Sequence, residues 1–164
     1  MKSLNLPSFP VKISEKNGKT YIYDPLRRKD VALTPEEWVR QHFVPFLITT
    51  RSFPAERIAN EVSIQVNTTS KRCDTVVYDN FLTPLVIIEY KSPDVNITGE
   101  VFDQIARYNS ALRVPYLIVS NGLKHYCCFM DYRTMESRFL NDIPAYPDLM
   151  SQSEGKSLAF RRRL

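Results

Sequence analysis

Glycine is scarce in this chain: there are four in 164 residues, and none sits in a G-x-x-x-x-G-K-[ST] arrangement. That loop cradles nucleotide phosphates on successive backbone N–H groups, so its lack excludes ATP-driven chemistry by this chain alone. Cysteine is scarce too. Cys73 stands apart and Cys127 and Cys128 are adjacent, which is neither an even disulfide framework nor the C-x-x-C spacing of a zinc site. A reducing compartment suits such a chain. No apolar run approaches the roughly 20 residues of a membrane helix, and the opening MKSLNLPSFPVKIS has no continuous apolar stretch of the signal-peptide kind. The expectation is a cytoplasmic protein with no membrane partner. Internal repeats, low-complexity tracts and zinc-finger, helix-turn-helix or RNA-binding signatures are also lacking.

What is there suffices for one domain with a real core, at 43% hydrophobic residues. A net charge of +4 leans toward a polyanionic partner, although part of the excess is the run Arg161, Arg162 and Arg163. Three parts are expected: an N-terminal hairpin appendage and connector over 1–32, the main domain over 33–150, and a basic tail over 151–164.

In the main part, LTPEEWVRQHFVPFLITT places Thr34 as an N-cap, Pro35 at the first helical position and Glu37 three after the cap, as in a capping box. Val39, Phe43, Phe46 and Leu47 recur at helical spacing and define the buried face, with Pro45 set to kink the helix or end its regular part. Glu36 falls on or beside that stripe, and Glu37 is expected to point elsewhere. Residues 61–66 (EVSIQV), 73–78 (CDTVVY) and 85–91 (LVIIEYK) read as strands. The four apolar residues opening the last suggest a strand covered on both faces, central in its sheet. ITGEVFDQIARYNSALRV predicts a helix from about Thr98 with Phe102, Ile105, Ala106 and Leu112 inward, and PYLIVSNGLKHYCCFMDY predicts two strands turning at Asn121-Gly122. Earlier, VKISEKNGKTYIYDP predicts a hairpin turning at Asn17-Gly18, with DPLRRKD after it as an exposed charged connector. This order implies the α/β or α+β class, a mixed sheet flanked by helices.

The third strand ends oddly. VIIEYKSPD runs apolar and then places Glu89 and Lys91 two residues apart, on one face. If the strands around Val76 and Ile87 form an antiparallel hairpin with the loop 80–83, so that Asp79 pairs with Pro84, then Asp74 falls directly opposite Glu89. Opposed side chains have Cβ atoms roughly 4.5–5.5 Å apart, and two carboxylates there repel. Either one carboxyl keeps its proton or a cation sits between them. Carboxylate oxygens suit Mg²⁺ or Mn²⁺, and an ion held by only two of them keeps waters or takes phosphate oxygens. Lys91 then stands one pleat along, within reach of a phosphate or a metal-bound water. Glu-x-Lys alone is also a common way for a strand to leave the core as a solvated ion pair, and a one-residue slip would part the acids. Two acids, a lysine and the strand-ending Ser92-Pro93 together point to a site.

These residues resemble the signature of the PD-(D/E)xK nuclease superfamily, Asp74 on one strand and Glu89-Tyr90-Lys91 on the next, with Cys73 where the motif's proline would stand. More closely, TPEEWVRQ, ANEVSI, RCDTVVYD, VIIEYKSP and FDQIARYN resemble the N-terminal nuclease domain of the type I restriction enzyme R subunit, in a short stand-alone bacterial form, over about residues 33–131. The resemblance implies a restriction-endonuclease-like fold and a metal-dependent DNA endonuclease. It makes Asp74 and Glu89 ligands of Mg²⁺ or Mn²⁺, with the Tyr90 carbonyl as a further oxygen ligand and Lys91 orienting or deprotonating the attacking water. Glu36 matches a first-helix acid that reaches the same metal. Gln104 and Tyr108 match a glutamine and tyrosine motif whose helix lies over the site. DNA is the implied partner, with motor or specificity subunits supplied separately, or with a homodimer cutting both strands.

Each assignment has an ordinary counterpart. Glu36 could serve only the helix macrodipole, and Gln104 and Tyr108 could be a simple i, i+4 pair. Glu61 reads as a strand-start charge, His42 and His125 as core or surface residues, and Arg40, Arg107 and the terminal arginines as solvated or phosphate-bound. The competing functions are a non-catalytic DNA-binding or scaffold domain that keeps the nuclease fold, and a structural module whose acids form surface ion pairs.

Overall fold

Asn17 and Gly18 both take positive φ, 52° and 72°, the twist that a two-residue turn needs to join antiparallel strands. They link β1 (Ile13–Lys16) to β2 (Lys19–Asp24) with Lys16 opposite Lys19. A strand not anticipated from the sequence, β3 (Lys29–Ala32), pairs antiparallel with β2. The protein is seen here as a computed structural model that describes residues 1–152; Arg161, Arg162 and Arg163 lie outside them.

The segment DPLRRKD is not an exposed connector. Asp24 has no exposed surface, and its carboxylate accepts the N–H groups of Leu26 at 2.8 Å and Arg27 at 3.1 Å, so the β2–β3 turn closes around it. Residues 1–32 are also more than an appendage. Ile22 is fully buried, Leu4, Leu6 and Leu26 pack on the main core, and the Asn5 N–H donates to the Gly122 carbonyl at 2.8 Å.

Helix α1 (Pro35–Thr50) starts as its sequence predicts, the Thr34 hydroxyl accepting the Glu37 N–H at 3.1 Å. It runs on past Pro45 to Thr50; the one backbone bond that proline removes is outweighed by Phe43 and Leu47, both fully buried. A six-stranded sheet follows in the order β4 (Ile58–Val66), β5 (Thr69–Tyr78), β6 (Pro84–Tyr90), β7 (Tyr116–Ser120), β8 (His125–Asp131) and β9 (Glu136–Leu140). Its β6–β7 pair is parallel and the other pairs are antiparallel. Helix α2 (Gly99–Asn109), capped by Thr98, is the crossover that a parallel pair requires. The edge strand β9 was not anticipated; its residues are mostly exposed and leave little hydrophobic signal.

The sheet is covered on both faces, which accounts for the apolar run in β6. Val86 and Ile88 join α1 through Val39, Phe43 and Leu47, whereas Ile87 joins α2 through Phe102 and Ile105. Each such buried side chain contributes about 1.5–3 kcal/mol. Among the described residues no helix is long and apolar enough to cross a membrane.

The β5–β6 loop differs from its expected form. Pro84 pairs with Tyr78 instead of Asp79, across a bulge between Val77 and Tyr78. Asp79 instead ties the loop together, its carboxylate accepting the N–H groups of Phe81 at 2.8 Å and Thr83 at 2.9 Å. Beyond the bulge the pairs Val77–Val86, Val76–Ile87 and Thr75–Ile88 follow the anticipated register, and the paired ladder ends there, one residue short of Asp74 and Glu89.

Candidate active site

Where the β5–β6 pairing ends, midway along β5 and at the C-terminal end of β6, the ladder passes from backbone to side chain. The Tyr90 N–H donates to Asp74 Oδ2 at 2.9 Å, just beyond the Thr75–Ile88 pair. Asp74, Glu89, Tyr90 and Lys91 line one cleft of about 400 Å³. Burial pushes the Asp74 carboxyl above its ordinary range, against the pull of the Tyr90 N–H and of Arg40. Glu89 is raised further, to about 7, by burial and then by the charge of Asp74. Lys91 Nζ lies 4.0 Å from Glu89 Oε1 and opposes that rise. Cys73 is fully buried, its thiol pushed up to about 11 by burial and by Glu89 and Asp74, which removes it from nucleophilic chemistry.

The first turn of α1 is placed otherwise than expected. Glu37, not Glu36, faces inward: Glu37 is buried and Glu36 is exposed, although both line the cleft. The physical reason is a charge partner. Glu37 Oε1 accepts from Arg27 Nη2 and from Gln41 Nε2, the latter at 3.0 Å, and Oε2 lies 3.5 Å from Arg40 Nη2. Arg40 does not solvate at the surface. Only 4% of its side chain is exposed; Nη1 donates to the Asp74 carbonyl at 3.0 Å, Nη2 meets Glu61 Oε1 at 2.5 Å, and the guanidinium lies 5.5 Å from the Tyr90 ring centre.

Glu61 is more than a strand-start charge. It sits within β4 at φ 55°, a left-handed conformation costing on the order of 1–3 kcal/mol for a residue other than glycine. Its carboxylate then reaches both Arg40 and Arg72, the latter at 2.6 Å from Oε2. Burial raises its carboxyl, but the hydrogen bonds of Arg40 and Arg72 prevail and hold it below the ordinary range. Two arginines thus keep Glu61 ionised and occupied.

Gln104 and Tyr108 are not brought into this cleft. Both are exposed on α2, whose buried side is Phe102, Ile105 and Asn109, and the Tyr108 ring takes the Lys71 ammonium 4.0 Å from its centre. Arg107 is likewise exposed on α2. His42 is buried against Trp38, and His125 bonds Ser120 Oγ at 2.7 Å, so neither lines the cleft. Sequence reading missed Arg27, Glu37, Glu61 and Arg72 as parts of the site. Only Glu37 left a signal, its i, i+3 spacing to Arg40 and i, i+4 spacing to Gln41.

The two adjoining carboxyls offer oxygen atoms and mutual repulsion, chemistry that fits a hard divalent cation. Among the described residues no group of three or more His, Cys, Asp or Glu is arranged to hold a metal, so further ligands would have to be waters, backbone oxygens or substrate.

A mixed six-stranded sheet between helices, with Asp74 midway along β5 and Glu-x-Lys at the C-terminal end of β6, is a restriction-endonuclease-like architecture. The family described as the N terminus of the type I restriction enzyme R protein matches residues 35–144, and the chain belongs to that family. A solved structure described as a fragment of an HsdR subunit of a type I restriction enzyme from Vibrio vulnificus YJ016 shares the fold, with a TM-score of 0.50 at 19% identity, over 73% of this chain. The match spans 25% of that solved chain. No curated protein matches the chain.

Proposed function

We propose that this protein is a divalent-metal-dependent deoxyribonuclease of the PD-(D/E)xK type, hydrolysing phosphodiester bonds in the cleft between the middle of β5 and the C-terminal end of β6. The observation that carries this reading is the pair Asp74 and Glu89 in one cleft, both with raised carboxyl pKa, and Lys91 at 4.0 Å from Glu89. Asp74, Glu89 and the Tyr90 carbonyl would hold Mg²⁺ or Mn²⁺, while Glu36 stands on the rim of the same cleft without clustering with the two acids. A bound divalent ion supplies Lewis acidity and a more acidic water. The chain's own groups do the rest. Lys91 presents an ammonium to the attacking water and to charge on the phosphoryl oxygens, Arg72 offers an exposed cation to the DNA backbone, and Asp74 stays oriented by the Tyr90 N–H. Membership of an R-protein family supports DNA as substrate, separate motor or specificity subunits as partners, and the cytoplasm as location.

The lack of a third clustered ligand among the described residues favours a second reading, a DNA-binding or scaffold domain that keeps the fold without hydrolysis. Calorimetric titration of Mn²⁺ into the wild type and Asp74→Ala, with a plasmid-nicking assay, separates the two. The nuclease reading expects binding and nicking that both vanish in the variant. DNA binding that is indifferent to metal, with no nicking, would establish the second.

A further inference from the structure

The family match begins at residue 35, yet Arg27, Val31 and Ala32, from the three-stranded sheet before it, line the same cleft as Asp74 and Glu89. Arg27 is 15% exposed and grips two carboxylates: its Nε donates to Asp24 Oδ2 and its Nη2 to Glu37 Oε1. Glu37 leads to Arg40 at 3.5 Å, and Arg40 Nη1 ends the chain on the Asp74 carbonyl at 3.0 Å. The charges alternate from Asp24 through Arg27 and Glu37 to Arg40. A second path leaves Asp24 through neutral groups. Asn60 Nδ2 donates to Asp24 Oδ2 at 3.0 Å, Thr75 Oγ1 to Asn60 Oδ1 at 2.7 Å, and the Tyr90 hydroxyl to Thr75 Oγ1 at 3.0 Å. Both paths arrive beside the acids, at residues 74 and 90.

We infer that Arg27 is a positioning residue for this site: by holding Glu37 it sets where Arg40 rests against Asp74, and the N-terminal sheet is thereby a working wall of the cleft. The inference deepens the nuclease reading and rests on it for its functional meaning. A buried guanidinium follows its carboxylates, because an unpaired charge in that environment is strongly unfavourable. Glu37 is shared between two arginines. Without Arg27 its whole charge falls to Arg40, which must then loosen from the Asp74 carbonyl or from Glu61 to meet it.

The test uses the full chain with Arg27→Gln and with Arg27→Lys, which keeps the charge but lacks the fork that spans Asp24 and Glu37. Ile22→Val, fully buried in the same sheet, controls for simple loosening. Two quantities are measured: Mn²⁺ affinity by calorimetry, and the shift and exchange rate of the Tyr90 amide by NMR in metal-free protein. That amide donates to Asp74 Oδ2 and reports where the carboxylate sits. Expected for Arg27→Gln are Mn²⁺ binding weaker by about tenfold or more and a shifted, faster-exchanging Tyr90 amide. Arg27→Lys should show both more mildly, and Ile22→Val neither, although its melting temperature falls. An unmoved Tyr90 amide with wild-type Mn²⁺ affinity in both Arg27 variants overturns the inference, as does an Ile22→Val protein that matches them. If the wild type binds no Mn²⁺, the nuclease reading fails and the Tyr90 amide alone decides whether Arg27 positions Asp74. Should Arg27→Gln not fold, Arg27→Lys carries both measurements.

Discussion

Glu89 holds its proton up to about pH 7 because burial disfavours its charge and Asp74 repels it. In an unfolded chain the same group ionises near its ordinary value. Below that value both states are protonated and the shift has no effect; as pH rises toward 7 the unfolded chain releases a proton the folded one retains, and stability is lost. In metal-free protein the loss approaches about 3 kcal/mol, and Asp74, shifted in the same direction, adds to it. Glu89→Gln should therefore be more stable than wild type at pH 8 and close to it at pH 4.5, with chelator present. Urea denaturation at the two pH values checks this, and an equal difference at both would show that the repulsion is not there. The same variant should lose Mn²⁺ affinity under the nuclease reading, trading a binding group for stability.

At the scale of elements, the β7–β8 turn shows how closely the N-terminal segment is fitted. Gly122 has φ 81°, and a Cβ there would come 2.7 Å from Leu4 Cδ2 and 3.1 Å from Val39 Cγ2. The Leu4 end can swing aside; the branched Val39 on α1 has less freedom, and the left-handed backbone alone costs an alanine roughly 1–2 kcal/mol. Gly122→Ala is expected to destabilise the protein by about 1–3 kcal/mol and to expose the first six residues to proteolysis, since Asn5 bonds the Gly122 carbonyl. Denaturation together with limited proteolysis tests it. A neutral effect would mean that the N-terminal segment is not held at this turn. The β4 strand makes the complementary point: its left-handed Glu61 takes Glu61 and Asp74 out of the β4–β5 ladder, which pairs Asn60 with Thr75 and Val62 with Cys73, and frees the carboxylate for two arginines.

For the whole molecule, the consequence is that residue 32 is not a folding boundary. Ile22, Leu26, Leu4 and Leu6 belong to or pack on buried apolar surface, and Asp24 bonds Asn60 in the main sheet. A chain lacking residues 1–32 should show a broadened, non-cooperative thermal transition, because it leaves Asn60, Glu37 and the face of α1 without their partners. Scanning calorimetry of the truncated chain decides the matter; a sharp transition near the wild-type temperature would make the N-terminal sheet a separate unit.

Periodicity and caps carried much of this fold. Thr34, Thr98, Asn17-Gly18 and Asn121-Gly122 act locally, so their roles were legible before any tertiary contact, as was the central place of β6 from its apolar run. The register leading toward Asp74 and Glu89 was legible as well, since a two-residue period carries register along a strand even where the loop was assigned one residue out, and Val77–Val86, Val76–Ile87 and Thr75–Ile88 keep it. Strand β9 was not, being exposed and weakly apolar. Neither was the inward turn of Glu37, nor the burial of Asp24, Arg27 and Arg40: a charged residue reads as solvated until its partners are known, and these partners lie on separate elements. Sequence by itself determined the two helices, the central strands that carry Asp74 and Glu89, and the mixed sheet, because those follow from local geometry and hydrophobic period. Tertiary structure alone decided which charges are buried together around that pair, because that depends on which distant segments the packing brings within hydrogen-bond reach.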